Sequence, residues 1–394
     1  MRRRNFLKGA AGAGLVSLLP TVGCASSGTW WDLPVNFQGR VVVIGAGAAG
    51  LAAGYLLDRY GIDYTILEAS PRWGGRVQRV DDFVDVPIDL GAEWIHDHPS
   101  VLAQLIDDSS VSANIDVVRY APQTSAIWNG SRLQSFNGSR HVYGEYKFKR
   151  TTWHSFLEDW ILPASADKLQ LNTPVVAIDS SGSGVTVHLA DGSTEEADRV
   201  ILAVPLKILQ QGLIAFTPAL PEWKQQAIDG REVVDGLKVF LEMESRFYPD
   251  LTMMSPLREG GADHLAMDGV FRKGSAQNLL SLFCVGQQAA QYVGLEDEAV
   301  VERLLQHLDA AFDGAASRNL LKARVQNWSQ EPWIQGAYVY GLDAVRGIDE
   351  LAASVDDRIY WAGGAFDRDN IVAVHGAMNS GYTAVAELLG TPNV

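Results

Sequence analysis

The chain has 394 residues, of which 47% are hydrophobic, 20% charged and 9% aromatic; this argues against disorder, collagen and coiled coil and is long enough for two domains. The 47 acidic residues outnumber the 32 basic ones, and a net charge of -15 argues against a nucleic-acid binder, which needs a basic face. Two cysteines leave no disulfide framework and no thiolate-only metal or iron–sulfur site, so no metal is expected, while 38 glycines raise the question of whether they gather where backbone meets a phosphate.

Arg3-Arg4-Asn5-Phe6-Leu7-Lys8 is a twin-arginine export signal, followed by an apolar stretch from Gly9 to Leu19 that is too short to span a bilayer. This route carries folded proteins, which suits an enzyme loaded with its cofactor before export by the twin-arginine machinery to the periplasm. Cys24 follows Thr21-Val22-Gly23, a lipobox-like setting in which Thr21 stands where Leu is usual. Lipid anchoring through Cys24 and simple cleavage nearby both remain open. Loss of residues 1–27 removes four basic residues and leaves 28 basic against 47 acidic, a net charge of -19. Cys284 is then alone, with no disulfide partner in the chain.

Arg40 to Ile44 is a continuous β-branched run, the pattern of a strand buried on both faces. Gly45-Ala46-Gly47-Ala-Ala-Gly50 follows, then a helix over Leu51 to Tyr60 and a second strand over Asp63 to Leu67 that ends at Glu68. This is a dinucleotide-binding βαβ unit in its proper context. Gly45 permits the turn, Gly47 lets backbone approach a pyrophosphate, Gly50 lets helix pack on strand, and Glu68 is placed for a ribose. The helix start offers free N–H groups and a positive dipole end to the phosphates.

Downstream strands are expected over Leu171 to Ile178, Val185 to Leu189, Arg199 to Val204, Asp235 to Met243 and Arg358 to Ala362, with a hairpin turn at Asp191-Gly192. A last helix opens after Ile371 and reaches about Leu389.

Glu68-Ala-Ser-Pro-Arg72-Trp-Gly74-Gly75-Arg76 resembles the E-A-x-x-R-x-G-G-R motif of the flavin-containing amine oxidases, whose glycines pass close to FAD and whose arginines contact its phosphates. Asp89-Leu-Gly91-Ala92-Glu93-Trp94-Ile95-His96 is similar to the segment of polyamine oxidases in that family that passes the flavin ring, where the histidine borders the substrate tunnel; Asp97 replaces a frequent Gly. The resemblance places Val176 against the adenine. The C-terminal Ala362-Gly363-Gly364 and Val372-Ala373-Val374-His375-Gly376 resemble the family's A-G-E and V-H-G-A motifs, so Gly363, Gly364, Ala373 and Val374 are carried over as FAD contacts. The helix there is expected to face the N1–C2 carbonyl edge of the flavin. Gly364 departs from the family's Glu, which touches the FAD linker, so weaker FAD binding or a water in its place is expected.

Lys238 aligns with the family lysine that holds a water against flavin N5. Trp328 to Tyr338, including Trp333, resembles W-x-x-x-P-x-x-x-G-x-Y, which leads to the substrate face. Tyr338 then forms one wall of an amine cage. Ala373 stands where monoamine oxidases have the second aromatic wall, and Ala337 stands where some members tether FAD through cysteine, so FAD is expected to be noncovalent.

The resemblance thus implies a two-domain α/β fold. A discontinuous Rossmann-like FAD domain covers 38–96, 166–210 and 340–394, and a mixed-sheet and helix substrate domain covers 97–165 and 211–339. It implies oxidation of an amine, a polyamine or another primary or secondary amine, to an imine by hydride transfer to flavin N5, with O2 or a periplasmic carrier as acceptor. Lys238, Tyr338 and His96 are the catalytic candidates. A desaturase or L-amino-acid oxidase on this scaffold, and a non-catalytic flavin-binding accessory protein, are the alternatives. The resemblance is weakest over about 97–165, and the oligomeric state is open.

Overall fold

The computed structural model describes residues 30–137, 145–254, 264–339 and 346–390. The export signal and Cys24 lie outside the described residues. The β-branched run Arg40–Ile44 pairs in parallel with Asp63–Leu67 on one side and Arg199–Leu202 on the other. Leu169–Gln170 and Ile359–Trp361 complete a five-stranded parallel sheet, which brings together three segments far apart in the chain. Val41, Val42 and Val43 are fully buried, as a strand covered on both faces requires.

One face is covered by helices Ala48–Arg59 and Val374–Leu388. They touch closely because Gly381 has no side chain: a Cβ there would collide with the Ala49 carbonyl. The helix Trp153–Trp160 joins the same core through Trp153, Phe156 and Leu157, and its start is capped by Thr152, whose hydroxyl accepts from the Ser155 N–H at 3.0 Å. The other face packs on a four-stranded sheet ordered Thr194–Ala197, Val185–Leu189, Val175–Asp179 and Ala215–Thr217.

The domain boundary expected at residue 210 lies further on. Ala215–Thr217 pairs with Val175–Asp179, and the helix Glu222–Asp229 buries Ile228 in the core of the nucleotide domain. The Lys224 ammonium fixes that helix by donating to the carbonyls of Glu350, Leu351 and Ala353 at 3.1, 2.8 and 2.5 Å. Residues 101–111 likewise pack into the nucleotide domain, through Val101, Leu102, Leu105, Ile106 and Val111. Their apolar spacing resembles any amphipathic segment, so sequence alone could not say which domain they cover.

The substrate domain is a seven-stranded mixed sheet ordered Leu320–Asn327, Gly236–Met243, Asn278–Val285, His264–Asp268, Leu251–Met254, Thr124–Trp128 and Leu133–Asn137. Its back, with Leu237, Val239, Leu282 and Cys284, packs on helix Asp297–Ala311. Cys284 is therefore buried on the side away from the nucleotide domain. Gly236–Met243 is buried along its whole length because its front meets Phe83, Ile88 and Leu90 across the domain junction, with Trp328 packed beside them. The weakly resembling segment adds the hairpin 124–137 to the sheet edge, and Val117–Arg119, Tyr146–Phe148 and Trp94–Ile95 form a small sheet beside it.

Candidate active site

The nucleotide cradle is built from two glycine turns laid on one another. Gly74 donates its N–H to the Ala46 carbonyl at 2.8 Å, and a Cβ on Gly75 would stand 3.5 Å from the Gly47 Cα. Gly45 takes φ +104°, a conformation open to glycine, and a Cβ on Gly47 would meet nothing within 4 Å. The start of helix Ala48–Arg59 therefore opens on free space with no side-chain cap, and its first N–H groups lack intrahelical partners. Glu68 reads as the ribose acid, and it also braces the cradle: one carboxylate oxygen accepts from the Ala46 N–H at 2.7 Å, the other from Ser70 at 2.8 Å. Each oxygen keeps a further lone pair for a sugar hydroxyl.

Arg76 is partly buried beside this cradle, and its guanidinium donates to the Ala337 carbonyl across the domain junction. Burial lowers its pKa to about 10. Among the described residues no carboxylate pairs with it, so Arg76 is an uncompensated cation on the residue that directly follows the Gly74-Gly75 turn. That donor set fits a pyrophosphate, and FAD fits the site. Arg72 is arranged differently: it donates to the Gly75 carbonyl at 3.0 Å and pairs with Glu331 at 3.1 Å.

The second opening is at the C-terminal helix, whose N-cap Ala373 supplies no side-chain cap. Val372 just before it takes φ +67°, a strained position for a β-branched residue, held by its N–H donating to the Gly364 carbonyl at 2.9 Å. Sequence reasoning did not mark Val372. Strain of this kind aims Ala373 and the N–H groups of Val374 and the residues after it. A Cβ on Gly364 would meet only the Val372 Cα at 3.9 Å, and no left-handed φ forbids a side chain there. Gly364→Glu should therefore fold normally and tighten FAD by about tenfold, the worth of one charge-assisted hydrogen bond. Fluorescence titration of the apoprotein with FAD reads this, and an unchanged or weaker Kd would refute it.

Glu93 has a role the sequence did not reveal. It is buried, and its two oxygens are held by two buried lysines, Lys147 at 2.5 Å and Lys238 at 2.7 Å. Lys238 also donates to the Asp89 carbonyl at 3.2 Å. Burial alone would raise the Glu93 pKa, but Lys147, Lys238 and Lys273 hold the carboxyl well below the usual carboxylate range. Burial raises Asp89 to about 7; one of its oxygens accepts from the Trp153 N–H at 3.2 Å and the other has no partner. Lys147 also lies over the rings of Trp94 and Tyr120, 3.9 and 4.6 Å from their centroids. Lys147, in the run Lys147-Phe-Lys149-Arg150, looks like a solvated basic patch. Only the pairing of Tyr146–Phe148 with Trp94–Ile95 turns it inward.

Trp94 and Tyr338 are partly exposed and are joined by Phe283, which packs against both their clusters. His96 stands at the rim, paired with Glu145 at 3.0 Å. His375, in the first turn of the C-terminal helix, is buried, shares a hydrogen bond with Asn370 at 3.0 Å and is pushed down to about 4, first by burial and then by His96. Gly91 lies against the Arg76 carbonyl, and Ala92 donates its N–H to that oxygen at 3.1 Å, which ties this segment to the arginine turn. Val176 is 41% exposed at a bulge of its strand, and Trp333, 38% exposed on the turn after Pro332, packs in none of the hydrophobic cores. The cradle, the lysine–carboxylate cluster and the aromatic walls thus gather at one junction, and Trp333 lies on the turn between Glu331, which pairs with Arg72, and Ile334, which packs with Leu90 and Phe240.

A profile of the family described as flavin containing amine oxidoreductase matches residues 48–168 and 158–389. Polyamine oxidase 4 of Oryza sativa subsp. japonica is 26% identical over 88% of this chain and 88% of its own length. Human lysine-specific histone demethylase 2 is 24% identical over 90% of this chain and 54% of its own. Among solved structures, a redesigned putrescine oxidase superposes with a TM-score of 0.74, and cyclohexylamine oxidase from Brevibacterium oxydans with 0.73. Each is 17% identical and covers 90% of this chain and 99% of its own.

Proposed function

Because this chain belongs to the flavin-containing amine oxidoreductases and is an FAD-dependent amine oxidase, we propose that it converts a primary or secondary amine to an imine that water then hydrolyses. The observation that carries this reading is the buried Lys238–Glu93–Lys147 bridge, with Lys147 against Trp94 and Lys238 opposite Phe283, in a chain that also builds an open dinucleotide cradle. FAD, when bound, accepts the electron pair and the hydrogen from the substrate's α-carbon. It binds without a covalent tether: Ala337 precedes the cage tyrosine, and Cys284 lies on the far face of the substrate sheet.

Lys238 has three ammonium donors, of which Glu93 and the Asp89 carbonyl take two. The third is left to hold a water. Tyr338 and Trp94 exclude bulk water from the amine, and His96 borders the entrance. The reactive amine is neutral, so no strong base is demanded of the protein. O2 is the acceptor in this reading, a periplasmic carrier the other candidate.

Anaerobic mixing with amines should bleach the oxidised flavin spectrum. A flavin that dithionite bleaches but no amine does would refute the reading and favour an accessory role. Export of the folded holoprotein rests on the Arg3-Arg4 signal, and a lipid anchor on Cys24. Palmitate label present in the wild type and lost in Cys24→Ser would support the anchor, and label absent from both would exclude it.

A further inference from the structure

The front of the substrate sheet carries one row of side chains in register. Lys238 is opposite Phe283, Phe283 opposite Leu265, and Leu265 opposite Met253. Cross-strand partners share a face, and Lys238 fixes which face this is, because its ammonium reaches Glu93 and the Asp89 carbonyl in the nucleotide domain. Phe283 continues the row between Tyr338 and Trp94, and both it and Met253 are partly exposed. Away from the reacting end, the wall available to a substrate is therefore apolar.

The charges near this row are of the wrong sign for a second ammonium. Glu93 has both oxygens taken by Lys147 and Lys238. Asp89 is buried, and Asp268 is buried and paired with Arg246 at 2.8 Å. Lys273 adds a third buried ammonium to the same cluster. Two carboxylates stand at the entrance, Glu145, 3.0 Å from His96, and Asp97, which accepts the His98 N–H, and both lie outside the row itself. The row carries Phe283, Leu265 and Met253 and no carboxylate, so a second basic nitrogen lying on it would have no counter-ion beside it, near three buried lysines, and an unpaired charge placed so is disfavoured.

We infer that the substrate is an amine with a single basic nitrogen and an apolar body, alkyl, cyclic or aryl, and that diamines and polyamines are selected against. This rests on the amine-oxidase reading above. Phe283, Leu265 and Met253 are the specificity-determining residues.

The test is anaerobic flavin bleaching of the FAD-loaded enzyme by length-matched pairs, n-hexylamine against 1,6-diaminohexane, with benzylamine, cyclohexylamine and spermidine alongside. The expected result is half-saturation by n-hexylamine at least tenfold lower in concentration than by the diamine, with spermidine poorer still. Met253→Glu, at a partly exposed position, should swing that ratio at least tenfold toward the diamine. A wild-type enzyme that takes the diamine or spermidine as well as n-hexylamine overturns the inference, whether or not the variant folds. An unchanged ratio in a folded Met253→Glu removes Met253 from the selectivity. Bleaching by dithionite but by none of the amines overturns the underlying reading instead, and the selectivity with it.

Discussion

Glu93→Gln is expected to cost about 3–5 kcal/mol of stability at pH 7, the range for removing one partner from a buried ion pair and leaving charge uncompensated. Here the loss is unusually exposed to measurement, because one carboxylate neutralises two lysines that solvent does not reach. A neutral amide offers a single acceptor oxygen where two were used, and its NH2 faces an ammonium. The cost is a large fraction of the roughly 5–15 kcal/mol that keeps a domain folded. The sign of the pH dependence follows from the depressed Glu93 pKa. Its stabilisation is full above the unfolded carboxyl value of about 4.3 and fades as pH falls through the folded value. The gap between wild type and variant should therefore be full near neutrality and begin to narrow only as pH falls below about 4. Asp89 works in the opposite sense: raised to about 7, it favours the native state while protonated, and that contribution is lost as pH rises from about 4 to 7. Lys147→Met should cost less than Glu93→Gln, since Glu93 keeps Lys238. Urea unfolding followed by tryptophan fluorescence decides the matter, and a Glu93→Gln variant within 1 kcal/mol of wild type at pH 7 would sink the charge bridge.

The nucleotide half was readable because its signals are local. A β-branched run, three spaced glycines and an acid at the end of the next strand lie within residues 40–68, and the strands run over Arg40–Ile44 and Asp63–Leu67 as read. Arg76 was readable as a residue type but not as a contact, because its hold on Ala337 joins residues 261 apart. Glu93 illustrates the limit more sharply. A motif placed it beside the flavin; its partners arrive from the strands Tyr146–Phe148 and Gly236–Met243 and depend on how three separate segments stack. The apolar row is further out of reach. Phe283, Leu265 and Met253 have no common spacing in the chain, and only the register of three strands sets them side by side. The domain boundary shifted for a related reason: an amphipathic helix such as Glu222–Asp229 states that it buries a face, not which core receives it.

Lys238→Met should slow reduction of the flavin by amine, or its reoxidation by O2, about 100-fold or more, the scale of a positioned proton-handling group. The substitution is informative because it separates chemistry from folding. Methionine keeps an unbranched stem in a strand buried along its length, and Glu93 remains neutralised by Lys147 at 2.5 Å. Stability should therefore fall less than in Glu93→Gln, even though Lys238 is the residue proposed to hold the water. Lys238→Arg should not restore the rate, since a planar fork cannot reproduce one ammonium that reaches Glu93 and the Asp89 carbonyl while keeping a third proton free. Stopped-flow absorbance resolves the two half-reactions, and thermal melts with and without FAD report whether the site still loads. If both half-reactions ran at wild-type rates in a loaded Lys238→Met enzyme, Lys238 would be a structural cation like Lys147. The mechanism would then need another group to hold the water.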